Sequence, residues 1–269
     1  MRSNRCSRFI WVIGLFISSI VFSCTEKNNE EVNVKKLFDE QNVDGCFILF
    51  DVNNSRTLKY NSAMCDSQFL PSSTFKIPHS LIAMEMGIIP DTSFTLQWDG
   101  EERFLPVWNK DHNFKSALKS SVVWFYEEIG RRIGSTRMQS WLEKINYGNQ
   151  NVSGEYPYWL RGNLRITPNS QLEFMKKFYF ENLPFKPENI QTVKNILEIE
   201  KTDEYKIIGK TGWGDLNGKS TGWLVGYLTK DNNTYIFVTC IQSNNPPENF
   251  ASSRLIITKN IFHELGIIK

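Results

Sequence analysis

Apolar and polar residues alternate in short runs near both ends of the chain, a pattern typical of β-strands. Five runs rich in Val, Ile, Phe and Tyr predict strands, at residues 45–52, 57–60, 205–209, 221–229 and 234–242. The last two are separated by Lys230-Asp231-Asn232-Asn233, whose composition favours a tight turn. We therefore expect these two strands to form a hairpin.

Apolar residues that recur every three or four positions predict helices in the middle of the chain and at its end. The predicted helices are at residues 76–86, 122–133, 136–145, 170–180 and 252–265. This order of elements predicts an α/β (α+β) fold with a mostly antiparallel sheet built from both chain ends. Helices flank that sheet, and a helical lobe is inserted between its strands. A ligand site is expected in the cleft between the lobes.

The first 23 residues have the pattern of an export signal. Arg2, Arg5 and Arg8 precede an apolar run at residues 9–22, which is shorter than the ~20 residues that a membrane-spanning helix needs. We interpret residues 1–23 as a signal peptide. The expected location of the mature protein is therefore the periplasm.

Cys24 directly follows the apolar run, and the residues before it resemble a bacterial lipoprotein cleavage site. In such sites the cysteine is lipidated and becomes the mature N-terminus. We therefore expect a lipid anchor at Cys24, a tether at residues 24–40 and a single domain at residues 41–269.

The charge of the chain gives no indication of a nucleic-acid partner. The chain has 31 basic and 29 acidic residues, and the three arginines of the signal account for the basic excess, so no basic patch suggests phosphate binding. Cys46, Cys65 and Cys240 remain in the expected domain. Buried free thiols are the favoured interpretation, with one disulfide as the alternative. No His or Cys spacing indicates a metal, and the sequence predicts no oligomeric state.

Ser73 and Lys76 form the first candidate catalytic pair. Residues three apart on a helix share a face, so the hydroxyl and the amine can meet. Serine becomes a strong nucleophile only when a base takes its proton, and none of the three histidines lies in a serine-triad context. Burial can lower a lysine pKa by ~3–5 units, so a neutral Lys76 is the candidate base. The neighbours expected to bury it are Phe69, Leu70, Phe75 and Ile77.

This spacing alone is weak evidence, because Ser116 and Lys119 repeat it in a segment interpreted as surface. The second signal is Lys210-Thr211-Gly212, which follows a predicted strand. S-x-x-K together with K-T-G is the motif pair of penicillin-binding proteins and serine β-lactamases.

Three further motifs make the chain resemble the class D β-lactamases, the oxacillinases. They are Ser121-Val122-Val123, Tyr147-Gly148-Asn149 and Trp159-Leu160. Together with residues 96–100 and 108–111 they occur in the family's order and at similar spacing, from about residue 45 to the C-terminus.

The resemblance implies that Lys76 reacts with carbon dioxide to become N6-carboxylysine. CO2 or bicarbonate would then be needed, and no metal or other cofactor. Val123, Trp159 and Leu160 would support the carbamate, Trp159 by donating its indole N–H. The carbamate would be the general base in the hydrolysis of β-lactams, the small molecules that the family binds.

The resemblance also assigns the other steps. Ser73 would be the nucleophile, with the backbone N–H groups of Ser73 and Trp213 as the oxyanion hole. Ser121 would relay a proton to the departing nitrogen, and Lys210, a further catalytic residue, would help to attract the substrate carboxylate. The residues implied to bind substrate are Thr211, Gly212, Trp213, Arg254 and Trp108.

Two other functions are compatible with these motifs. A β-lactam-sensing domain acylates without turnover, but it normally follows several membrane spans, and here a single short signal favours the enzyme. A D-Ala-D-Ala transpeptidase or carboxypeptidase normally has S-x-N where this chain has Ser121-Val122-Val123.

Several candidates also have purely structural interpretations. Trp159 and Val123 suit a core, residues 147–149 suit a turn, and Arg254 suits a solvated helix face. Trp124 and His79 depart from the family's pattern, and we expect both to reshape the substrate pocket.

Overall fold

The computed structural model describes residues 29–269 of the chain, so the predicted signal peptide and Cys24 lie outside the described residues. A seven-stranded sheet has the strand order β1-β3-β2-β9-β8-β7-β6, and β4 and β5 form a separate pair. The strands are β1 (Asn29–Glu31), β2 (Asp44–Asp51), β3 (Arg56–Tyr60), β4 (Thr95–Leu96), β5 (His112–Asn113), β6 (Glu198–Lys201), β7 (Tyr205–Leu216), β8 (Lys219–Lys230) and β9 (Asn233–Ser243).

Helices occupy most of the chain between β3 and β6, and one more follows β9. Short 3₁₀ helices span Ser72–Phe75 and Pro106–Trp108. The α-helices are α1 (Lys35–Asp39), α2 (Ser62–Cys65), α3 (Lys76–Glu85), α4 (Phe114–Lys119), α5 (Val123–Ile133), α6 (Ser135–Ile145), α7 (Pro168–Tyr179), α8 (Pro187–Ile196) and α9 (Phe250–Glu264).

The two faces of the sheet pack into two separate cores. Successive side chains of a strand point to opposite faces, and in β2 Cys46 and Ile48 join one core while Phe47 and Leu49 join the other. Helices α3, α5 and α7 cover the first face, and α1 and α9 cover the second. All sheet pairs except β1–β3 are antiparallel. This arrangement confirms the predicted fold class.

Residues 29–40 are not a tether, so the predicted start of the domain at residue 41 is wrong. β1 pairs with β3 at the edge of the sheet. Val34, Leu37 and Phe38 are each at most 5% exposed, because they fill the space between the sheet and α9. The ordered domain therefore includes residues 29–40.

β7 is longer than its pattern predicts, and its length positions the K-T-G motif. The predicted strand ends at residue 209, whereas β7 continues to Leu216 and pairs with β8 through its whole length. Asn217 and Gly218 form the turn, with φ of 54° and 76°, the left-handed conformation that a two-residue Asn-Gly hairpin turn requires. The second predicted hairpin, β8–β9, is also present.

The three cysteines of the domain lie close together in the core. Cys46 on β2 faces Cys240 on β9, and Cys46, Cys65 and Cys240 are all buried and free, which confirms the prediction of buried thiols. No helix within residues 29–269 combines the length and apolar character needed to cross a membrane.

Candidate active site

The 3₁₀ helix Ser72–Phe75 continues directly into α3, and this junction brings Ser73 and Lys76 together. Lys76 Nζ lies 3.0 Å from Ser73 Oγ. Two hydrogen bonds from α7 and β8 hold this segment in place. Gln171 Nε2 donates to Thr74 Oγ1 at 2.7 Å, and Trp223 Nε1 donates to the Leu70 carbonyl at 2.9 Å. The predicted S-x-x-K contact is therefore present in the structure.

Lys76 is completely buried. Its Nζ lies 5.2 Å from the centre of the Tyr126 ring on α5, and the Tyr126 hydroxyl is hydrogen-bonded to Ser80 Oγ at 2.7 Å. Burial lowers the pKa of Lys76 to about 7, and the negative charge of Glu127 opposes this shift. Since ordinary lysines have a pKa near ~10.4, a large fraction of Lys76 is a neutral amine at neutral pH.

Trp159 carries an unpartnered polar atom in aromatic surroundings. Trp159 is fully buried, and its Nε1 has no hydrogen-bond partner among the described residues. Its ring stacks on Phe75 at 5.5 Å, and its backbone carbonyl accepts from Ser72 N at 3.0 Å. Buried N–H groups without an acceptor are rare in folded proteins, so this indole N–H is available to a further group.

Ser121 and Lys210 form the second polar pair. Lys210 Nζ donates to Ser121 Oγ and to the Thr211 carbonyl, at 3.0 Å each. Ser121 has a φ of 58°, a strained conformation for a non-glycine residue. The preceding Ser120 carbonyl accepts a hydrogen bond from Trp108 Nε1 at 2.9 Å. Burial, reinforced by the charges of Lys76 and Arg254, holds the pKa of Lys210 well below its usual range. The pair is therefore suited to proton exchange.

Gly212 allows β7 to pass close to the turn that carries Ser73. A Cβ at Gly212 would lie 3.2 Å from Thr74 Cγ2 and 3.3 Å from Thr74 N, closer than neighbouring atoms normally approach. The next residue, Trp213, has its side chain turned outward and 42% exposed. The strand therefore brings the Trp213 backbone alongside the turn that carries Ser73.

Arg254 is buried under the K-T-G segment and is not the solvated helix residue of the structural alternative. It is 7% exposed, and its Nη1 donates to the Gly212 carbonyl at 2.6 Å, while Nε and Nη2 donate to the Ala251 carbonyl at 2.8 and 2.6 Å. Burial lowers its pKa to about 10, so it is charged at neutral pH. Its remaining N–H groups border the cleft.

A cleft of about 840 Å³ joins these groups. Lys76, Lys210 and Trp159 lie behind its surface, which keeps them away from water. The predicted site residues that line it are Ser73, Trp108, Ser121, Val123, Leu160, Thr211, Gly212, Trp213 and Arg254.

Several residues of the site were not predicted. Glu127 lines the cleft, as does Arg103, whose guanidinium pairs with Asp99. Phe104 is 84% exposed at the rim, with its ring 5.4 Å from Trp108. Glu127 follows Val123 by four positions on α5 and therefore shares its face, so helical spacing could have identified it. The loop that carries Arg103 and Phe104 has no such signal.

The two departures from the family's pattern differ in location. Trp124 lines the cleft as expected, but His79 does not, because it is fully buried beneath Trp159 and Tyr126. Any effect of His79 on the shape of the substrate pocket therefore has to pass through the residues that it contacts. Residues 147–149 form a turn that packs on the site, with the buried Tyr147 ring 5.6 Å from Phe75 and Gly148 at φ 56° against the Arg165 carbonyl.

Comparison with known proteins places this geometry in a family. Residues 27–265 match the penicillin binding protein transpeptidase domain. The regulatory protein BlaR1 of Bacillus licheniformis is 35% identical over 241 residues, which cover 89% of this chain and 40% of BlaR1. Beta-lactamase OXA-48 of Klebsiella pneumoniae is 34% identical over 86% of this chain and 87% of its own length. The chain thus spans less than half of BlaR1 and most of OXA-48.

A solved structure gives the same result. The class D β-lactamase YbXI from Nostoc superposes with a TM-score of 0.83 at 37% identity, covering 87% of this chain and 99% of that one. The fold and the two Ser–Lys pairs define an active-site serine protein of the penicillin-recognising type. The chain belongs to the penicillin-binding transpeptidase-domain family and, within it, to the class D β-lactamases.

Proposed function

We propose that the chain hydrolyses β-lactam antibiotics through an acyl-enzyme on Ser73, with N-carboxylated Lys76 as the general base. The observation that carries the proposal is the 3.0 Å separation between Ser73 Oγ and the amine of a fully buried lysine. In residues 29–269 no other side chain is hydrogen-bonded to Ser73 Oγ, which makes Lys76 the candidate base for this serine.

The surroundings of Lys76 fit a carbamate. Its lowered pKa provides a neutral amine that can add to the carbon of CO2, with one C=O electron pair moving to oxygen and one amine proton leaving to solvent. The unpartnered Nε1 of Trp159 supplies a donor for the new anionic oxygens, and Val123 and Leu160 line the adjoining part of the cleft with apolar groups. When present, the carbamate supplies an anionic base beside Ser73.

The remaining groups have roles that follow from their positions. The N–H groups of Ser73 and Trp213 stabilise the oxyanion, a contribution worth ~10²–10³ in rate for each donor. Ser121 donates a proton to the departing ring nitrogen and recovers one from Lys210 in its ammonium form, and Lys210 then takes a proton from solvent. Thr211 and Arg254 bind the substrate carboxylate, and Trp108 contacts the substrate's side chain.

A β-lactam sensor is the second candidate function, because the chain is about as similar to BlaR1, at 35% identity, as it is to the enzyme OXA-48, at 34%. In both functions a β-lactam acylates Ser73. Only the enzyme then hydrolyses the acyl group and reacts again. A purified chain should hydrolyse a chromogenic cephalosporin repeatedly and faster with added bicarbonate. One burst of product per chain without further turnover, under saturating bicarbonate, would favour the sensor. Ser73→Ala is the control and should show neither burst nor turnover.

We also propose that the chain is exported to the periplasm and lipidated at Cys24. The support is the pattern of three arginines, an apolar run and a cysteine in residues 1–24. Cells that express the full chain should incorporate labelled fatty acid into it, and Cys24→Ala should remove the label. Cys6→Ala is the matched control and should retain it; an unlabelled wild-type chain would contradict the anchor.

A further inference from the structure

His79 is a buried polar side chain that the proposed reaction does not use. It is fully buried, and neither Nδ1 nor Nε2 has a hydrogen-bond partner among the described residues. A neutral imidazole has one donor and one acceptor, and leaving both unpartnered in the interior is costly. An apolar side chain would avoid this cost, so the histidine calls for an explanation beyond packing.

The position of His79 relates it to Lys76. The two residues are three apart on α3 and share a face of that helix. Both contact the same ring, since the Tyr126 centroid lies 5.2 Å from Lys76 Nζ and 5.2 Å from the centre of the His79 ring. Tyr126 itself is not a partner for the imidazole, because neither His79 ring nitrogen has a hydrogen-bond partner among the described residues and the Tyr126 hydroxyl is bonded to Ser80.

His79 also contacts Trp159, whose indole N–H is unpartnered. The His79 and Trp159 rings meet edge to face, with their centres 5.2 Å apart. Two side chains with unpartnered N–H donors therefore contact each other, and one of them, His79, shares the Tyr126 ring with the Lys76 amine. An anion that forms on Lys76 can accept hydrogen bonds from both of these donors. The unmodified amine is already hydrogen-bonded to Ser73 Oγ and has no need of two further donors.

Charge supports the same interpretation. Burial and, to a smaller extent, the positive charge of Lys76 lower the pKa of His79 to about 3, so the two groups interact electrostatically. Carboxylation of Lys76 replaces a repelling cation with an anion that attracts the imidazole N–H.

We infer that His79 is a third support for the carboxylated Lys76, donating its imidazole N–H to the carbamate directly or through one water, alongside Trp159. This inference rests on the proposed carboxylation of Lys76. Its consequence is that His79 sets how much bicarbonate is needed to keep the site carboxylated.

The experiment compares apolar and polar replacements of His79. Carbamate occupancy is measured by carbon-13 NMR during titration with labelled bicarbonate, and the melting temperature of each variant is recorded. His79→Leu and His79→Phe remove the donor, and we expect the half-saturating bicarbonate concentration to rise about 10- to 100-fold, as for loss of a hydrogen bond to a charged group. His79→Asn keeps an N–H donor and should remain within about threefold of wild type.

The matched control is Tyr147→Phe. Tyr147 also packs on Phe75 and has an unpartnered hydroxyl, but that hydroxyl faces Thr74 and Gln171, so its loss should leave the titration unchanged. Equal half-saturation in wild type and both apolar variants would overturn the role of His79 while leaving carboxylation intact. An equal shift in Tyr147→Phe would also overturn it. Absence of any carbamate signal in the wild type would overturn both the inference and the proposed base.

Discussion

Two lysine side chains are buried side by side in the site, and each has its pKa lowered by burial. Lysine is rarely buried without an acidic partner, and neither Lys76 nor Lys210 forms a salt bridge within residues 29–269. Their only side-chain hydrogen-bond partners there are Ser73 and Ser121. The protein therefore gives up stability to hold two amines close to neutrality beside two hydroxyls.

Replacement of Lys76 should reveal this loss of stability. The pKa of Lys76 is about 7 in the folded chain and near ~10.4 in the unfolded chain. Between those values the unfolded state binds more protons, so the wild type gains stability as pH rises. Lys76→Met lacks the penalty, and in CO2-free buffer it should be more stable than wild type by about 2–5 kcal/mol below pH 7.

That difference should shrink above pH 7 and vanish near the ordinary lysine pKa. The measurement is urea unfolding at several pH values, with Lys119→Met, an exposed lysine on α4, as the control without a pH-dependent difference. A stability difference that stays constant with pH would show that the pKa of Lys76 is not lowered.

Among the contacts between secondary-structure elements, the one between β7 and the 3₁₀ helix that carries Ser73 has the largest expected effect on activity. Gly212 is the closest point of that contact, and its carbonyl also accepts from Arg254. Gly212→Ala should move the strand away from Ser73 and lower kcat/KM about 10²-fold, the size expected when one oxyanion donor is misplaced.

Gly218→Ala in the same hairpin is the matched control for this prediction. Gly218 has a φ of 76° and no atom within 4 Å of an added Cβ, so alanine there should cost about 1 kcal/mol of stability from backbone strain and leave kcat/KM unchanged. Steady-state kinetics and urea unfolding of both variants separate the two effects. Equal activity losses in both would contradict a specific role for the close approach.

At the scale of the whole molecule, the N-terminal segment closes the second core. β1 extends the edge of the sheet, while α1 covers one face together with α9, and Val34, Leu37 and Phe38 are buried there. A chain that begins at residue 41 should be less stable than one that begins at residue 29 by about 4.5–9 kcal/mol, since each of these three buried apolar side chains contributes about 1.5–3 kcal/mol. Urea unfolding of the two chains measures this difference, and equal midpoints with equal slopes would refute it.

The sequence predicted the larger architecture because long apolar periods dominate it. All five predicted strands and five predicted helices are present, with ends shifted by a few residues except in β7. The predicted strand for β7 ended too early because Lys210-Thr211-Gly212 interrupts the apolar pattern. In the fold, pairing with β8 keeps these residues in the strand. β1 and α1 were missed because a short polar strand and a single helical turn have no period of their own.

The motifs also located the groups nearest the chemistry, Ser73, Lys76, Ser121 and Lys210, because their spacing is fixed by one helix turn and one strand. The residues that tune them were harder to predict. Tyr126 and His79 act through packing between α3 and α5, and no local pattern reveals which side chains meet across two helices.

The most direct test of the central claim is a carbon-13 NMR spectrum of the active chain equilibrated with labelled bicarbonate. We expect one carbamate signal per chain, absent in Lys76→Ala and weakening as pH falls below about 7, where Lys76 becomes protonated. A fully active chain that shows no carbamate signal would contradict the claim that Lys76 is the carboxylated base.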